Sequence, residues 1–171
     1  MALDTIAAIM RRRSVRKYEP KPMPDEDLHT IIEAGRNAPS AANRQPWHFI
    51  VIKDPDQRRK VAEACSDQHW MADAAVIIAG VGKPSVNEKW YAVDVAIAMQ
   101  NMILSATALG YGTCWIGAFD QERVANLLEV PEDMRVVALT PVGVPADQPE
   151  ARPRQPLSEF ASLDRHGRKL A

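Results

Sequence analysis

The chain has few of the features that mark secreted, membrane or metal-binding proteins. Its 171 residues include only two cysteines, Cys65 and Cys114, whose spacing fits neither a disulfide framework nor a metal site. We expect both to be buried thiols in a reducing compartment. No hydrophobic run is long enough to span a bilayer, and no charged segment leads into the apolar segment of a secretory signal. These absences predict a cytoplasmic protein with no membrane partner and no metal.

An excess of charge of either sign is also missing. The chain carries 21 Lys and Arg residues against 22 Asp and Glu residues, for a net charge of −1. This balance argues against binding to nucleic acid through bulk electrostatics. No Gly-x-Gly-x-x-Gly turn follows a strand, and no Gly-x-x-x-x-Gly-Lys-Ser/Thr loop occurs, which argues against a Rossmann dinucleotide site and a P-loop.

What the chain does contain is enough apolar residues, 46%, for one packed domain over residues 1–171. Hydrophobic spacing and capping signals predict five helices, over residues 3–12, from a cap at Asp25 to Pro39, from Pro55 to Cys65, over 91–109 and from Asp120 to 128. Apolar runs predict four strands, over 48–53, 74–81, 113–119 and 135–144. The irregular alternation with short connections favours an α+β sandwich with helices on both faces of the sheet. Prolines from Pro145 onward predict an extended, non-helical C-terminal arm over 145–171, which covers its own domain or a neighbour.

The helix predicted over 91–109 is apolar around its whole circumference, so we expect it to be buried on nearly all sides. A chain of this size has difficulty enclosing such a helix alone, and a partner subunit would solve the problem. The sequence therefore hints at a homodimer. The stripe formed by Asp94, Ala98, Asn101 and Ser105 is interpreted as a satisfied polar seam in the core.

Cationic side chains are concentrated just after the first helix, where five of the seven residues from Arg11 to Lys17 are Arg or Lys. One interpretation is a solvated basic patch at a helix C-terminus, and another is a contact to nucleic acid. Alternation along the chain also allows Arg12, Ser14 and Arg16 to converge on one ligand. Arginine suits a phosphate because its fork donates two parallel charge-assisted hydrogen bonds. Two further arginines, at 152 and 154, could contribute the same donors from the arm.

The loop from Pro39 to Trp47 is a more specific signal. Ser40 and Asn43 offer hydroxyl and amide groups, and the alanines at 41 and 42 would let a planar group approach the backbone. An ordinary helix-to-strand connection is the alternative. The combination of Ala-Pro-Ser, Asn-x-Gln-Pro-Trp and an apolar strand is much rarer than its pieces.

With this loop the chain resembles the nitroreductase family of FMN-dependent oxidoreductases. The resemblance covers nearly the whole sequence, including Arg-Arg-Ser-x-Arg at 12–16, Gln-Asn at 100–101, Gly-Tyr-Gly-Thr at 110–113, Trp-Ile-Gly at 115–117 and Arg-Pro-Arg at 152–154. It implies a nitroreductase-like fold with a mixed, mainly antiparallel sheet. It also implies an intertwined homodimer that binds FMN non-covalently at its interface.

The resemblance further implies which residues contact the flavin. The phosphate and ribityl chain would be held by Arg12, Arg13, Ser14, Arg152 and Arg154. The N1 and O2 side of the ring would face Arg16. The flavin edge would be covered from the other subunit by Pro39, Ser40, Ala41 and Asn43. The N5 atom would lie near the backbone of Ile116, Gly117 and Ala118.

One segment departs from the family pattern. Asp67 stands where the family often has an asparagine beside the pyrimidine ring, and an ionised carboxylate can only accept hydrogen bonds. Either Gln68 takes the family role or the flavin potential is lowered. The neighbouring His69 could face the open side of the flavin or solvent.

The resemblance implies an enzyme in which NADH or NADPH reduces the flavin at N5 and an electron-poor acceptor, such as a nitroaromatic or a quinone, then reoxidises it in a ping-pong cycle. No side chain is assigned as catalytic, because N5 is the reactive centre, although Arg16 would stabilise the reduced flavin. The alternatives are a specialised family activity, such as dehalogenation, flavin breakdown or metabolite dehydrogenation, and a flavin-binding protein without turnover.

Overall fold

The computed structural model describes residues 4–170, which form one α+β unit. The elements in chain order are α1 (Thr5–Arg11), α2 (Asp25–Arg36), β1 (Trp47–Ile52), α3 (Pro55–Ala64), β2 (Val76–Gly82), α4 (Tyr91–Ala108), β3 (Gly112–Thr113), α5 (Gln121–Leu127), β4 (Arg135–Gly143) and α6 (Leu157–Phe160), with short 3-10 helices at Ala41–Asn43 and His69–Asp73. The predicted helix start at residue 3 and the last arm residue, 171, lie outside the described residues.

The four strands form one sheet in the order β1-β2-β4-β3, and each pair of neighbours is antiparallel. Residues of β2 alternate between two apolar cores. Ile77 and Val81 join the core that contains α3 and α5, whereas Ile78 joins the core that contains α2 and α4. Helices therefore cover both faces of the sheet, as predicted. A parallel contact occurs as an isolated bridge between Ser14 and Thr113.

Capping explains where two of the helices begin. Asp54 accepts a hydrogen bond from the backbone N–H of Gln57 at 2.7 Å, and Asp120 accepts one from the N–H of Arg123 at 3.0 Å. These caps confirm the predicted starts of α3 and α5. The cap predicted at Asp25 is wrong, because Pro24 takes the N-cap position and Asp25 is the first helical residue. Its carboxylate still lies in the first turn, where negative charge is favourable.

The strand predicted over 113–119 is wrong in length, since β3 has two residues and the chain touches the sheet again only at a bridge between Ile116 and Leu139. The register places Cys114 opposite Pro141. A proline has no N–H, so the ladder loses a hydrogen bond at that pair. The chain therefore leaves the sheet between β3 and Ile116.

The prediction that the arm contains no helix is also wrong. The four residues of α6 follow Pro156, the last proline of the arm, which takes the N-cap position. A proline before the first turn does not block a helix, because that turn leaves its N–H groups unbonded anyway. The rest of the arm has no regular secondary structure and is largely exposed.

One face of α4 is exposed in the single chain, so the predicted burial of this helix on nearly all sides would require the second subunit that the sequence predicts. Val93 is 45% exposed and Ile97 is 37% exposed. The neighbouring α1 exposes Ile6, Ile9 and Met10 beside α4. We call these five side chains the α1/α4 apolar face. Among residues 4–170, no helix is both long and apolar enough to cross a membrane.

Candidate functional site

A cavity of about 290 Å³ lies between the end of α1 and the C-terminal arm. Its lining includes six residues predicted to bind the cofactor: Arg12, Arg13, Ser14, Arg16, Arg152 and Arg154. Pro149 and Glu150 complete the lining. The structure thus brings together side chains that are more than 130 positions apart in the sequence, and we refer to this space as the arginine cavity.

Backbone hydrogen bonds set the position of the first group of arginines. The segment after α1 runs beside β3, where the N–H of Val15 donates to the carbonyl of Thr113 at 2.9 Å. It then pairs with the start of the arm, since the N–H of Ala146 donates to the carbonyl of Lys17 at 3.0 Å. Because Val15 is buried and Arg16 is exposed, the extended backbone directs the cationic side chain outward. The same pairing carries the arm past the cavity.

The arginine cavity carries a strong excess of positive charge. Arg13 donates to the carbonyls of Met10 and Arg12, at 2.8 and 2.9 Å. In the part of the chain that the structure describes, no salt bridge involves any of the five cavity arginines. Glu150 is the one carboxylate that the described residues contribute to the lining. Five guanidinium groups with one carboxylate and a hydroxyl fit a dianionic phosphate.

Both thiols are buried, as predicted. Burial raises the pKa of Cys114, while the nearby Arg16, the Ser14 hydroxyl and Arg12 oppose this rise. Cys114 therefore lies beside the arginine cavity. Burial raises the pKa of Cys65 to about 12, which keeps this thiol protonated at neutral pH.

The loop before β1 has a backbone conformation that is rare outside glycine. Ala42, Asn43 and Gln45 have φ angles of 51°, 54° and 49°, all in the left-handed region. The hydroxyl of Ser40 accepts the N–H of Gln45 at 3.0 Å, which closes the loop on itself. Pro39 and Asn43 are exposed. Of the residues that line the arginine cavity, none comes from this loop.

Asp94 of α4 links the loop to the domain, because its Oδ1 accepts the backbone N–H of Ala41 at 3.1 Å. Its side chain is buried, and Oδ2 has no hydrogen-bond partner among residues 4–170. The predicted polar seam is therefore wrong at Asp94, where half of the carboxylate is unsatisfied. Further along the same helix, Asn101 donates to the carbonyl of Ala34 at 3.3 Å, as a satisfied seam would require.

Gln68 connects the end of α3 with the segment predicted to lie near N5. Its Nε2 donates to the carbonyl of Cys65 at 2.8 Å and to that of Ala118 at 3.5 Å. Gly117 and Ala118 are exposed, while Ile116 is buried and paired with Leu139. The nearest atom that a Cβ added at Gly117 would meet is the Trp115 ring nitrogen, at 3.8 Å. The Gly117 backbone is therefore open to a ligand.

Asp67 and His69 are both exposed, next to this segment. Asp67 adopts a φ of 54°, and its carbonyl accepts the N–H of His69 at 2.8 Å. The side chain of Asp67 forms no hydrogen bond or salt bridge with the described part of the chain. A flavin contact for Asp67 stays a prediction, and so does a role for His69.

Two residues at the site were missed by reasoning from the sequence. Glu150 lies among the prolines of the arm. It is far from the first arginines along the chain, so no local pattern predicted that it lines the cavity. Trp70 lies under Arg16, with the guanidinium carbon 5.9 Å from the ring centroid. Its position directly after Asp67–His69 was the available signal, since an aromatic residue beside a proposed ligand site is a candidate contact.

Comparison with known proteins shows which family this chain resembles in sequence and in structure. The model of the Nitroreductase family matches residues 9–74 and 66–144. A nitroreductase family protein from Clostridium novyi NT is 32% identical, covers 97% of this chain and 96% of its own, and superposes with a TM-score of 0.81. The NADPH:FMN oxidoreductase from Vibrio harveyi, solved with NAD⁺, is 28% identical and covers 99% of this chain and 80% of its own, with a TM-score of 0.88.

A third relative, the FMN reductase [NAD(P)H] of Bacillus subtilis, is 29% identical over 175 residues, which span 90% of this chain and 70% of the relative. The family match extends from α1 to the end of β4 and includes the loop before β1 and the segment around Gly117. The chain belongs to the nitroreductase family.

Proposed function

We propose that this protein is an FMN-dependent oxidoreductase that takes a hydride from NADH or NADPH and delivers electrons to an electron-poor acceptor, such as a nitroaromatic or a quinone. The arginine cavity is the observation that carries the proposal, because it gathers five guanidinium groups and one hydroxyl from both ends of the chain. Two relatives named as an FMN reductase and an NADPH:FMN oxidoreductase support the choice of cofactor and reductant.

The residues of the cavity divide into two roles. Arg12, Arg13, Ser14 and the two arm arginines would hold the phosphate and the ribityl chain by charge-assisted hydrogen bonds. Arg16 would lie at the pyrimidine end of the ring. Bound FMN supplies a two-electron carrier, and its reduced form bears negative charge near N1. A fixed cation at Arg16 would stabilise that charge and favour the reduced state.

The other end of the proposed site is the backbone from Ile116 to Ala118, in which Gly117 and Ala118 are exposed. The open approach to Gly117 supports a role for this segment beside N5, where a backbone N–H could donate a hydrogen bond to the ring. Gln68 holds the segment through the carbonyl of Ala118. The contact to the pyrimidine ring of the flavin, which an asparagine often makes in the family, would be made by Gln68 or by Asp67.

We further propose that two copies of the chain complete each site. The α1/α4 apolar face consists of five exposed hydrophobic side chains, which a second subunit would bury. The loop that contains Pro39, Ser40, Ala41 and Asn43 does not reach the arginine cavity of its own chain. In the dimer, it would cover the flavin that the partner holds.

The test is direct. The purified protein should be yellow, contain one FMN per chain and lose its visible flavin absorbance when NADH or NADPH is added. Menadione or a nitroaromatic should restore the absorbance and sustain turnover. A chain that takes up no FMN would contradict the proposal. A chain that binds FMN, but that neither nucleotide reduces, would instead be a flavin-binding protein without turnover.

A further inference from the structure

Among the described residues, Arg16 is the cavity arginine that lies over an aromatic ring. In the described part of the chain it forms no hydrogen bond and no salt bridge, whereas Arg13 is tied to two carbonyls. Its guanidinium instead lies over the ring of Trp70, with 5.9 Å between the guanidinium carbon and the ring centroid. This distance is within the range of a cation–π interaction, for which indole is the best ring.

Trp70 is itself held firmly. Its ring stacks on Tyr18, with 6.5 Å between the centroids and 20° between the planes. Tyr18 is buried, and its hydroxyl donates to the carbonyl of Val15 at 2.9 Å. Burial raises the pKa of Tyr18, so the hydroxyl keeps the proton that it donates. An isolated bridge between Tyr18 and Pro145 adds the start of the arm to this assembly.

An aromatic ring holds a guanidinium in a different way than a carboxylate does. A carboxylate would use two of the five N–H donors and would neutralise the charge that the proposed site needs. The face of an indole attracts the cation while leaving the N–H donors of the guanidinium free of hydrogen bonds. Arg16 is thus held over Trp70 while its hydrogen-bonding capacity stays available to a ligand.

We infer that Trp70 is a positioning residue that holds the Arg16 guanidinium ready for the negative charge of the reduced flavin. The inference rests on the proposed function, because it deepens the role given to Arg16. Trp70 follows Asp67 and Gln68 in the chain, so one short segment provides both a polar contact candidate and the support for the cation. Trp70 acts through Arg16 and needs no contact of its own with the flavin.

The inference predicts an effect on the balance between the two redox states. A cation–π contact at a partly exposed site is weak and shifts an equilibrium by a factor of about two to five. If Trp70→Leu removes that contact, the preference of the protein for reduced over oxidised FMN should fall about two- to fivefold. This corresponds to a decrease of about 10–20 mV in the midpoint potential of the bound two-electron couple.

A double-mutant cycle tests the coupling. Midpoint potentials are measured by redox titration against a reference dye for the wild type, Trp70→Leu, Arg16→Ala and the double variant. We expect Trp70→Leu to lower the potential in the wild type and to have no further effect when Arg16 is alanine. Trp70→Phe keeps an aromatic face and the stack on Tyr18, so it should retain most of the potential. If the leucine variant does not fold, Trp70→Met takes its place in the cycle, because it also removes the aromatic face.

The matched control is Trp90→Leu, which removes an exposed tryptophan whose ring lies under Lys89, 5.1 Å away. It should leave the potential unchanged. Two results would overturn the assignment of Trp70. One is that Trp70→Leu lowers the midpoint potential equally in the presence and absence of Arg16. The other is that it weakens the binding of oxidised and reduced FMN equally. A wild-type chain that takes up no FMN would refute the proposed flavin function itself, which is a distinguishable result.

Discussion

Replacing Ile97 by glutamate should dissociate the proposed dimer, and the separated subunits should then lose their bound FMN. Ile97 is in the middle of α4, 37% exposed, on the face opposite the side chains that α4 packs into the domain core. The substitution places a charge in the proposed interface without entering the core of the single chain. The folded monomer should therefore persist.

The magnitude follows from the exposure of the α1/α4 apolar face. Each of its five side chains is between 37% and 70% exposed. Full burial of such a side chain contributes about 1.5–3 kcal/mol, so each would gain about 1 kcal/mol on dimerisation, or about 10 kcal/mol for both subunits. Ile97→Glu removes this gain twice and adds the desolvation of two like charges, at several kcal/mol per ion. We expect a loss of at least about 4 kcal/mol, a thousandfold weaker dimer.

The assay combines sedimentation velocity with the FMN content of the purified protein. Ile97→Glu should sediment as a monomer and retain little flavin, while Ile97→Ala should weaken the dimer mildly. The matched control is Asn126→Glu, which adds the same charge at an exposed position of α5, a helix on the other face of the sheet. It should remain dimeric and yellow.

Two results would refute this reasoning. A monomeric Ile97→Glu variant that keeps one FMN per chain would mean that one subunit forms the whole site. A variant that stays dimeric would mean that the interface uses another surface. The circular dichroism spectrum and thermal unfolding of the variant exclude general misfolding as the cause of flavin loss.

Three further predictions concern single side chains. Glu150→Gln removes the carboxylate from the arginine cavity and should tighten FMN about two- to fivefold, while the affinity for riboflavin, which has no phosphate, stays unchanged; fluorescence titrations measure both. Asp67→Asn should raise the flavin midpoint potential by about 10–30 mV by removing a charge that opposes the reduced flavin, and an unchanged potential would remove Asp67 from the contacts. Because burial raises the pKa of Cys65 from 9.0 to about 12, the unfolded chain loses this proton at lower pH than the folded one. The free energy of unfolding should therefore fall between pH 9 and 12, by up to about 1.4 kcal/mol per pH unit, and less steeply in Cys65→Ala; parallel slopes in urea titrations would contradict this.

Much of the fold could be predicted because its signals are local. The apolar run of β2 and the caps at Asp54 and Asp120 depend on neighbouring residues, and the structure confirms them. The extent of β3 could not be predicted in this way. It depends on Pro141, which lies opposite Cys114 only after the strands have paired. A missing N–H on a distant strand leaves no trace in the local hydrophobic pattern.

The candidate site was also predictable only where its signals are local. The sequence by itself determined the chemical groups, because the clustered arginines, the loop of small and amide side chains and the Trp-Ile-Gly segment are short contiguous motifs. The tertiary structure alone decided which groups meet: the arm brings Glu150 to the arginine cavity, Trp70 supports Arg16, and Asp94 holds the loop at Ala41. These contacts join residues far apart in the chain, and their geometry is set by the packing of the sheet and its helices, which no single segment encodes.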